Sequence, residues 1–329
     1  MEGELPAKDP APGDVQLRVE RFALSTNNVT YATQGDKLGY WRAFPAPEGW
    51  GRIPAWGYAR AVASRSNALG EGERMFGFVP MAGLFTVRPQ AHPNGLIDAA
   101  PHRAELAPLY NRYLPVAGEE DDTALVMRPL FGTSLVLDMV LTEARFHGAQ
   151  AVVLTSASSK TSYGLAHLLR GREVATIGLT SAARRAWVER LELYDRVLAY
   201  DDLDDLCAPP GGAVLVDFAG DDALLRRVHE RLEGALRRSI LVGFTRWHAG
   251  GDERPLAGPA PEFFFAPTEI ARRGRELGQR YPMAWQEFAP VAKRTMRIQR
   301  ISSGEGLVGA YLELLEGRSD PAVGYVVSL

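Results

Sequence analysis

The chain has 329 residues, a formal net charge of −3, 46% apolar and 23% charged residues, six histidines and one cysteine. That length has room for two domains of ordinary size, and the composition is that of a soluble globular protein. The lone Cys207 excludes an internal disulfide framework and a multi-cysteine zinc site, and the charge gives no support for nucleic-acid binding despite local arginine clusters such as Arg184-Arg185. No apolar run approaches the roughly 18–20 residues of a membrane span. The start, Met1 to Pro6, carries no signal pattern, so a cytoplasmic protein is expected.

Residues 13–90 read as short strands punctuated by Gly and Pro. Val15 to Glu20 alternates apolar and polar residues as a half-buried strand does. Ala59 to Ser64 and Arg74 to Val79 read alike, with Gly70-Glu71-Gly72-Glu73 turning the chain between them. Asn27 and Asn28 are candidate turn formers. Rings then crowd the sequence: Tyr31, Tyr40, Trp41, Phe44, Trp50 and Trp56, flanked by Gly and Pro. Such rings in loops suit an apolar substrate pocket; packing of a small barrel-like module is the rival reading. Tyr110 and Tyr113 precede the second half of the chain and are candidates for the same pocket.

From about residue 125 helices alternate with apolar strands. Thr133 to Ala144 reads as a helix capped by Thr133 and Ser134. Ala151 to Leu154 is a first strand, Ser162 to Arg170 its helix, Val174 to Gly178 a second strand and Ala182 to Leu193 a second helix. Short strands follow at Arg196 to Tyr200, Val214 to Phe218 and Ser239 to Phe244, with a helix from Asp222 to Leu236 between the last two. Strands alternating with helices imply a doubly wound parallel sheet with right-handed crossovers. The tail returns to helix and strand, ending in Val323 to Val327.

The junction after the first strand carries the chemistry. A strand, a small-residue turn and a helix aim backbone N–H groups at one spot, where a phosphate or pyrophosphate binds. The turn lacks G-x-G-x-x-G and offers Ser156, Ser158, Ser159, Lys160, Thr161 and Ser162 instead. Lys160-Thr161 also ends a Walker A motif, but both glycines of that motif are missing, which argues against a P-loop. A solvated turn without a ligand is the plain alternative. The second strand runs into Gly178-Leu179-Thr180-Ser181-Ala182-Ala183-Arg184-Arg185, with hydroxyls and arginines and no carboxylate. An NAD ribose calls for a carboxylate there, so Thr180, Ser181 and Arg184 suit the 2′-phosphate of NADP(H), unless the arginines merely cover a helix face. Elsewhere reactive groups are sparse. Cys207 has no neighbouring base, the histidines show no metal spacing, and neither Tyr-x-x-x-Lys nor G-x-S-x-G occurs.

The order of barrel-like module, nucleotide-binding sheet and short return resembles the medium-chain dehydrogenase/reductase superfamily, with its zinc-independent quinone- and enoyl-reductase branches, over nearly the whole chain. Gly13 to Glu20 is similar to that family's opening strand, Leu24 to Tyr31 to its first active-site loop, Gly70 to Gly77 to its V-G-D-R-V-x-G strand and Val214 to Asp217 to a late Rossmann strand. More narrowly, Met127 to Ser134 with Ser156 to Thr161 resembles the DUF2855 family, a group with no generally assigned reaction. The zinc-ligand segment G-H-E of the alcohol dehydrogenases stands here as Trp56-Gly57-Tyr58, and the structural-zinc lobe is absent, so no metal is expected.

The resemblance implies a GroES-like β-barrel domain over 1–124 and 266–329 and a Rossmann doubly wound parallel sheet over 125–265, with ligand in the crevice at the strands' carboxyl ends. It implies NADP(H), with pyrophosphate at Ser156 to Ser162, Thr133 as a further contact, and Gly243 and Phe244 beside the nicotinamide. Asn27, Asn28 and Tyr31 fall where polar groups approach the nicotinamide; Tyr31 is the candidate proton donor and Asn28 the candidate oxyanion partner. Tyr40, Trp41, Phe44, Trp56, Tyr110 and Tyr113 are the candidate pocket. The expected reaction is hydride transfer between NADPH and an apolar or aromatic carbonyl, enone or quinone. A redox-neutral use of NADP+ and a non-catalytic NADP(H)-binding regulatory protein are the alternatives. The expected partner is a small-molecule substrate, with a homodimer as candidate assembly.

Overall fold

The first strand, β1 (Val15–Leu24), is buried along most of its length and is followed directly by Ser25. The structure, a computed structural model, describes residues 9–118, 121–242 and 255–328. Where the sequence suggests a loop, the chain forms α1 (Thr26–Thr33). The reason is a capping box: Ser25 Oγ accepts from Asn27 N at 3.3 Å while Asn28 Oδ1 accepts from Ser25 N at 2.7 Å. Two donors that a helix start leaves unmet are thereby satisfied. Strands β2 (Pro54–Ser64), β3 (Arg74–Pro80), β4 (Leu84–Val87), β5 (Pro89–His92), β6 (Gly95–Asp98) and β7 (Arg112–Pro115) come next.

The chain continues through α2 (Asp122–Glu143), β8 (Ala151–Leu154), α3 (Lys160–Leu169), β9 (Ala175–Thr180), α4 (Ala182–Glu189), β10 (Arg196–Ala199), β11 (Ala213–Asp217), α5 (Asp222–Leu232), β12 (Leu236–Leu241), β13 (Glu262–Phe263) and α6 (Ala266–Thr295). Strand β14 (Arg297–Ile301), α7 (Gly304–Leu315) and β15 (Val323–Val327) complete it. Two compact units result, Met1–Arg128 with Ala292–Leu329 and Pro129–Val291. The division falls inside α2 and α6, so the return to the first unit comes at Ala292 and not at the expected residue 266. A proline lies inside each crossing helix close to the division, Pro129 and Pro290.

Helix α2 corrects two expectations. It begins at Asp122, so Thr133 and Ser134 sit in its interior and do not cap it. The Thr133 hydroxyl donates back to Pro129 O (3.3 Å), as interior Ser and Thr commonly do, and Ser134 Oγ lies 3.2 Å from Leu130 O. By length and composition α2 would also cross a membrane, but 72% of its most apolar window is buried inside the protein.

The first unit holds a nine-stranded sheet, ordered β14-β15-β1-β2-β3-β7-β6-β5 with β4 also on β1. The second holds six strands, all parallel, ordered β10-β9-β8-β11-β12-β13. Counted within that sheet the order is 3-2-1-4-5-6, which reverses between β8 and β11. Both of those strands are buried at every residue, as central parallel strands are. Ala151, Val153, Ile177, Leu179 and Leu215 pack with Leu224 and Val228 of α5 in the core.

In the first unit one charged side chain organises the loops. Arg103 is 1% exposed. Its guanidinium donates to Asn111 Oδ1 (3.0 Å), Ala43 O (3.0 Å) and Tyr110 O, pairs with Asp98 (3.3 Å) and lies over the Phe44 ring. Breaking a buried ion pair on one side leaves the other charge uncompensated, at a cost of about 3–5 kcal/mol. Arg103→Met is therefore expected to destabilise by about that amount in chemical denaturation. Adding Asp98→Asn should recover part of the loss.

Candidate functional site

The turn after β8 is built by side chains from distant parts of the second unit. Thr155 N donates to Val216 O and Ala157 N to Leu179 O, so β8's neighbours on both sides hold the start of the turn. Ser156 takes the left-handed conformation, φ 48°. Its N–H donates to the Tyr200 hydroxyl at 3.1 Å. Tyr194 donates to Ala157 O at 2.8 Å and lies 3.1 Å from Ser162 Oγ, whose hydrogen is free to be shared with it. Burial raises the pKa of both phenols, so each keeps its hydrogen at neutral pH.

Helix α3 then starts beneath this turn. Ser159 is its N-cap, its hydroxyl accepting from Ser162 N at 3.3 Å, and Lys160 is its first residue. First-turn N–H groups have no intrahelical acceptor and carry the positive end of the helix dipole, an anion-binding arrangement. Ser134 of α2 fixes the turn from behind by donating to Thr161 O at 2.7 Å. The two helices approach closely there, and a Cβ at Gly164 would lie 2.8 Å from Ser134 Oγ. Ser134 thus reaches the cradle from mid-helix, while its neighbour Thr133 bonds within α2.

At the end of β9, Thr180 is buried and Ser181 caps α4 by position without a side-chain capping bond. Arg184 reaches toward the cradle, with Nη1 3.5 Å from Ser158 Oγ. Arg185 faces elsewhere, held by Asp202 and Glu189, both at 2.9 Å. The two adjacent arginines therefore differ in role. Gly243 and Phe244 lie outside the described residues.

Strand β11 closes the other side of the reversal point. Asp217 is buried, which raises its pKa, and hydrogen bonds to both oxygens hold it. It accepts from Thr155 Oγ1 (2.6 Å), from Ala219 N (3.2 Å) and from Gly220 N (3.0 Å), while Thr155 Oγ1 accepts from Phe218 N (2.8 Å).

The first unit gathers the expected ring residues into a buried cluster. Tyr31 meets Tyr40 (ring centroids 4.7 Å apart), Phe78 (5.2 Å) and Tyr110 (6.3 Å). Trp56 Nε1 donates to the Tyr31 oxygen at 3.1 Å, and the hydroxyls of Tyr40 and Tyr110 are 3.2 Å apart. Asn27 acts on the Tyr31 oxygen in the same sense as Trp56, while burial raises the Tyr31 pKa. Asn28 is 2% exposed and committed to structure, accepting from Ser25 N and donating to Pro54 O at 2.8 Å. Phe44 sits nearer Arg103 and Phe85. Tyr113 packs against Phe85 and donates to Phe78 O, so it belongs to the interior of the strand layer and not with Tyr31. Trp41 is half-buried against the backbone of Gly35 and Gly51.

Residues 22–320 match the family described as "Protein of unknown function (DUF2855)". The chain belongs to the DUF2855 family. No curated protein matches it. Among solved structures it is similar to CurA from Vibrio vulnificus in complex with NADPH, with TM-score 0.68 and 15% identity, covering 100% of this chain and 93% of that one. It is similar also to the yhdH oxidoreductase from Salmonella enterica in complex with NADP (TM-score 0.58, 14% identity, 100% and 94% covered). A third is a quinone oxidoreductase from Pseudomonas syringae pv. Tomato DC3000 (0.60, 14%, 98% and 94%). At these identities the likeness shows the fold, a GroES-like domain plus a Rossmann domain, as the family resemblance implies.

Sequence reasoning missed Tyr194, Tyr200 and Asp217. One signal was present: Gly178 lies inside a strand, and a glycine there marks a close approach. A Cβ at Gly178 would lie 2.8 Å from Tyr194 and 3.0 Å from Ala157, so the bare backbone lets Tyr194 pass beneath β9 to the turn. The left-handed Ser156 gives a direct check. A non-glycine residue pays roughly 1 kcal/mol or more for that conformation. Ser156→Gly is expected to raise the melting temperature by about 2–4 °C per kcal/mol relieved, whereas Ser156→Ala leaves it nearly unchanged.

Proposed function

We propose that this protein is a metal-independent NADP(H)-dependent oxidoreductase acting on an apolar or aromatic carbonyl, enone or quinone. One observation carries the reading. At the reversal point of a 3-2-1-4-5-6 sheet, a helix start faces a strand end that offers Ser181 and Arg184 and no carboxylate. That arrangement suits a pyrophosphate at Ser156 to Ser162 and a 2′-phosphate on Arg184. The NADPH and NADP bound by the similar structures from Vibrio and Salmonella support it. When bound, the nicotinamide supplies the hydride.

The protein's own part is to hold the cofactor, orient the substrate and meet the charge that develops on the substrate oxygen. Tyr31 is suited to the last task. Its oxygen accepts from Trp56, so its own hydrogen is left to give, and its raised pKa keeps that hydrogen in place across the neutral range. Asn28 contributes by pinning α1 to Pro54 at the head of β2, which sets where Tyr31 stands.

Titration calorimetry with NADPH and NADH tests the cofactor. NADPH is expected to bind at least ten-fold more tightly, and Arg184→Ala to remove most of that preference, a charge-assisted contact being worth about 1.5–3 kcal/mol. Equal binding of the two, or none, overturns the reading. For the proton donor, Tyr31→Phe should lower turnover with an enone or quinone roughly 10²-fold with NADPH affinity nearly unchanged. Asn28→Ala should cost less turnover and some stability. Full turnover by Tyr31→Phe would move the proton donor elsewhere.

A further inference from the structure

A second pocket lies at the opposite end of α3 from the cradle. The helix has ten residues, about 15 Å at 1.5 Å per residue, and its last turn opens on a cavity of ≈ 310 Å³ shared with α2 and α6. No cradle residue lines it. Leu135, Leu168 and Met283 give it an apolar wall, and Met283 is 69% exposed. Behind that wall Phe131 stacks on Phe288 at 4.5 Å with the rings parallel, and the His167 ring lies 5.1 Å from Phe288, so the wall is firmly backed.

Its charged groups are unequally engaged. Arg172 donates to both oxygens of buried Asp138, at 3.2 and 2.9 Å. Arg280 pairs with Glu276 at 2.8 Å. Arg170 is exposed at the rim, where its charge acts on His167, and it pairs with no carboxylate among the described residues. Glu287 is the one further carboxylate in the lining. His167 Nδ1 is buried and has no hydrogen-bond partner among the described residues. Of the three guanidinium groups in the lining, two are bonded to carboxylates and Arg170 is not, and a cation so placed beside an apolar wall is the surface of a site for a small amphipathic anion.

We infer that this pocket binds a carboxylate with an apolar body, the body against Leu135, Leu168 and Met283 and the head on the guanidinium of Arg170. A planar guanidinium fork matches a carboxylate, which favours that head group over a compact anion. The competing account is that Arg170 and Arg172 only complement the negative end of α3's dipole. It leaves the exposed methionine on the same wall without a reason.

Calorimetric titration of the full chain with octanoate, octylamine and acetate separates the two. Octanoate is expected to bind at a single site, with octylamine and acetate each at least ten-fold weaker. Arg170→Glu, at an exposed position that should fold normally by circular dichroism, is expected to weaken octanoate at least ten-fold. Met283→Glu should do the same by placing a carboxylate on the apolar wall. The inference is overturned if octanoate and octylamine bind alike, if Arg170→Glu leaves octanoate binding unchanged, or if octanoate gives no heat at about 10 mM, where even a millimolar site would fill. None of these outcomes depends on whether NADPH binds at the cradle.

Discussion

The hydrogen bond from Thr155 Oγ1 to Asp217 Oδ1, 2.6 Å long between two buried residues, is the constraint on which the second unit's site depends. It joins β8 to β11 at the place in the sheet where neighbouring crossovers depart in opposite directions. Polar groups at such a point have lost water and must be met by protein, or the strand ends would cost several kcal/mol. Here each group answers another. The threonine oxygen accepts from Phe218 N and Ala219 N, the carboxylate from Ala219 N and Gly220 N. Both chain exits from the sheet are fixed by one pair of side chains, and the cradle inherits its position from them.

Beyond Thr155 the turn departs from the glycine-rich solution to the same problem. A glycine turn presents bare backbone and relies on its flexibility to come close to a pyrophosphate. This turn is instead bolted in place: Tyr200 on Ser156 N, Tyr194 on Ala157 O, Ser159 on Ser162 N, Ser134 on Thr161 O. Rigidity replaces conformational freedom. The left-handed Ser156 shows that the surroundings over-determine the turn, since nothing in serine itself favours that conformation.

How much of this architecture could be read from the sequence depends on how local each signal is. The β8-turn-α3 unit was legible because strand, turn and helix are consecutive and their apolar periods differ. The parallel sheet was legible for the same reason, repeated along the second half. Helix α1 was not, because Asn27 and Asn28 look like turn residues until Asn28 is seen to close a capping box with Ser25. Thr133 and Ser134 are residue types that cap helices, yet α2 runs through both from Asp122. Tyr194 and Tyr200 act on a turn some forty residues upstream (Ser156 to Tyr200 spans 44 positions), and no periodicity reports such a contact. The ring-rich segment was legible as a cluster, but its partition between Tyr31's group and Tyr113's depends on which face of the strand each ring takes.

That partition bears on the chemistry. In the first unit the guanidinium of Arg103 holds the backbone of Ala43 and Tyr110, the ends of two short helical turns, and these turns carry Tyr40 and Tyr110 against Tyr31. The phenol cluster is thus set by a buried charge that touches none of its hydroxyls. Burial alone would make Tyr31 a reluctant acid, because removing its proton would leave an anion without water. Trp56 N–H on the phenol oxygen opposes that penalty, since a donor aimed at the oxygen stabilises the charge that would remain. A phenol so placed keeps its proton across the neutral range, with its oxygen already held by one donor and its ring fixed by Tyr40, Phe78 and Tyr110.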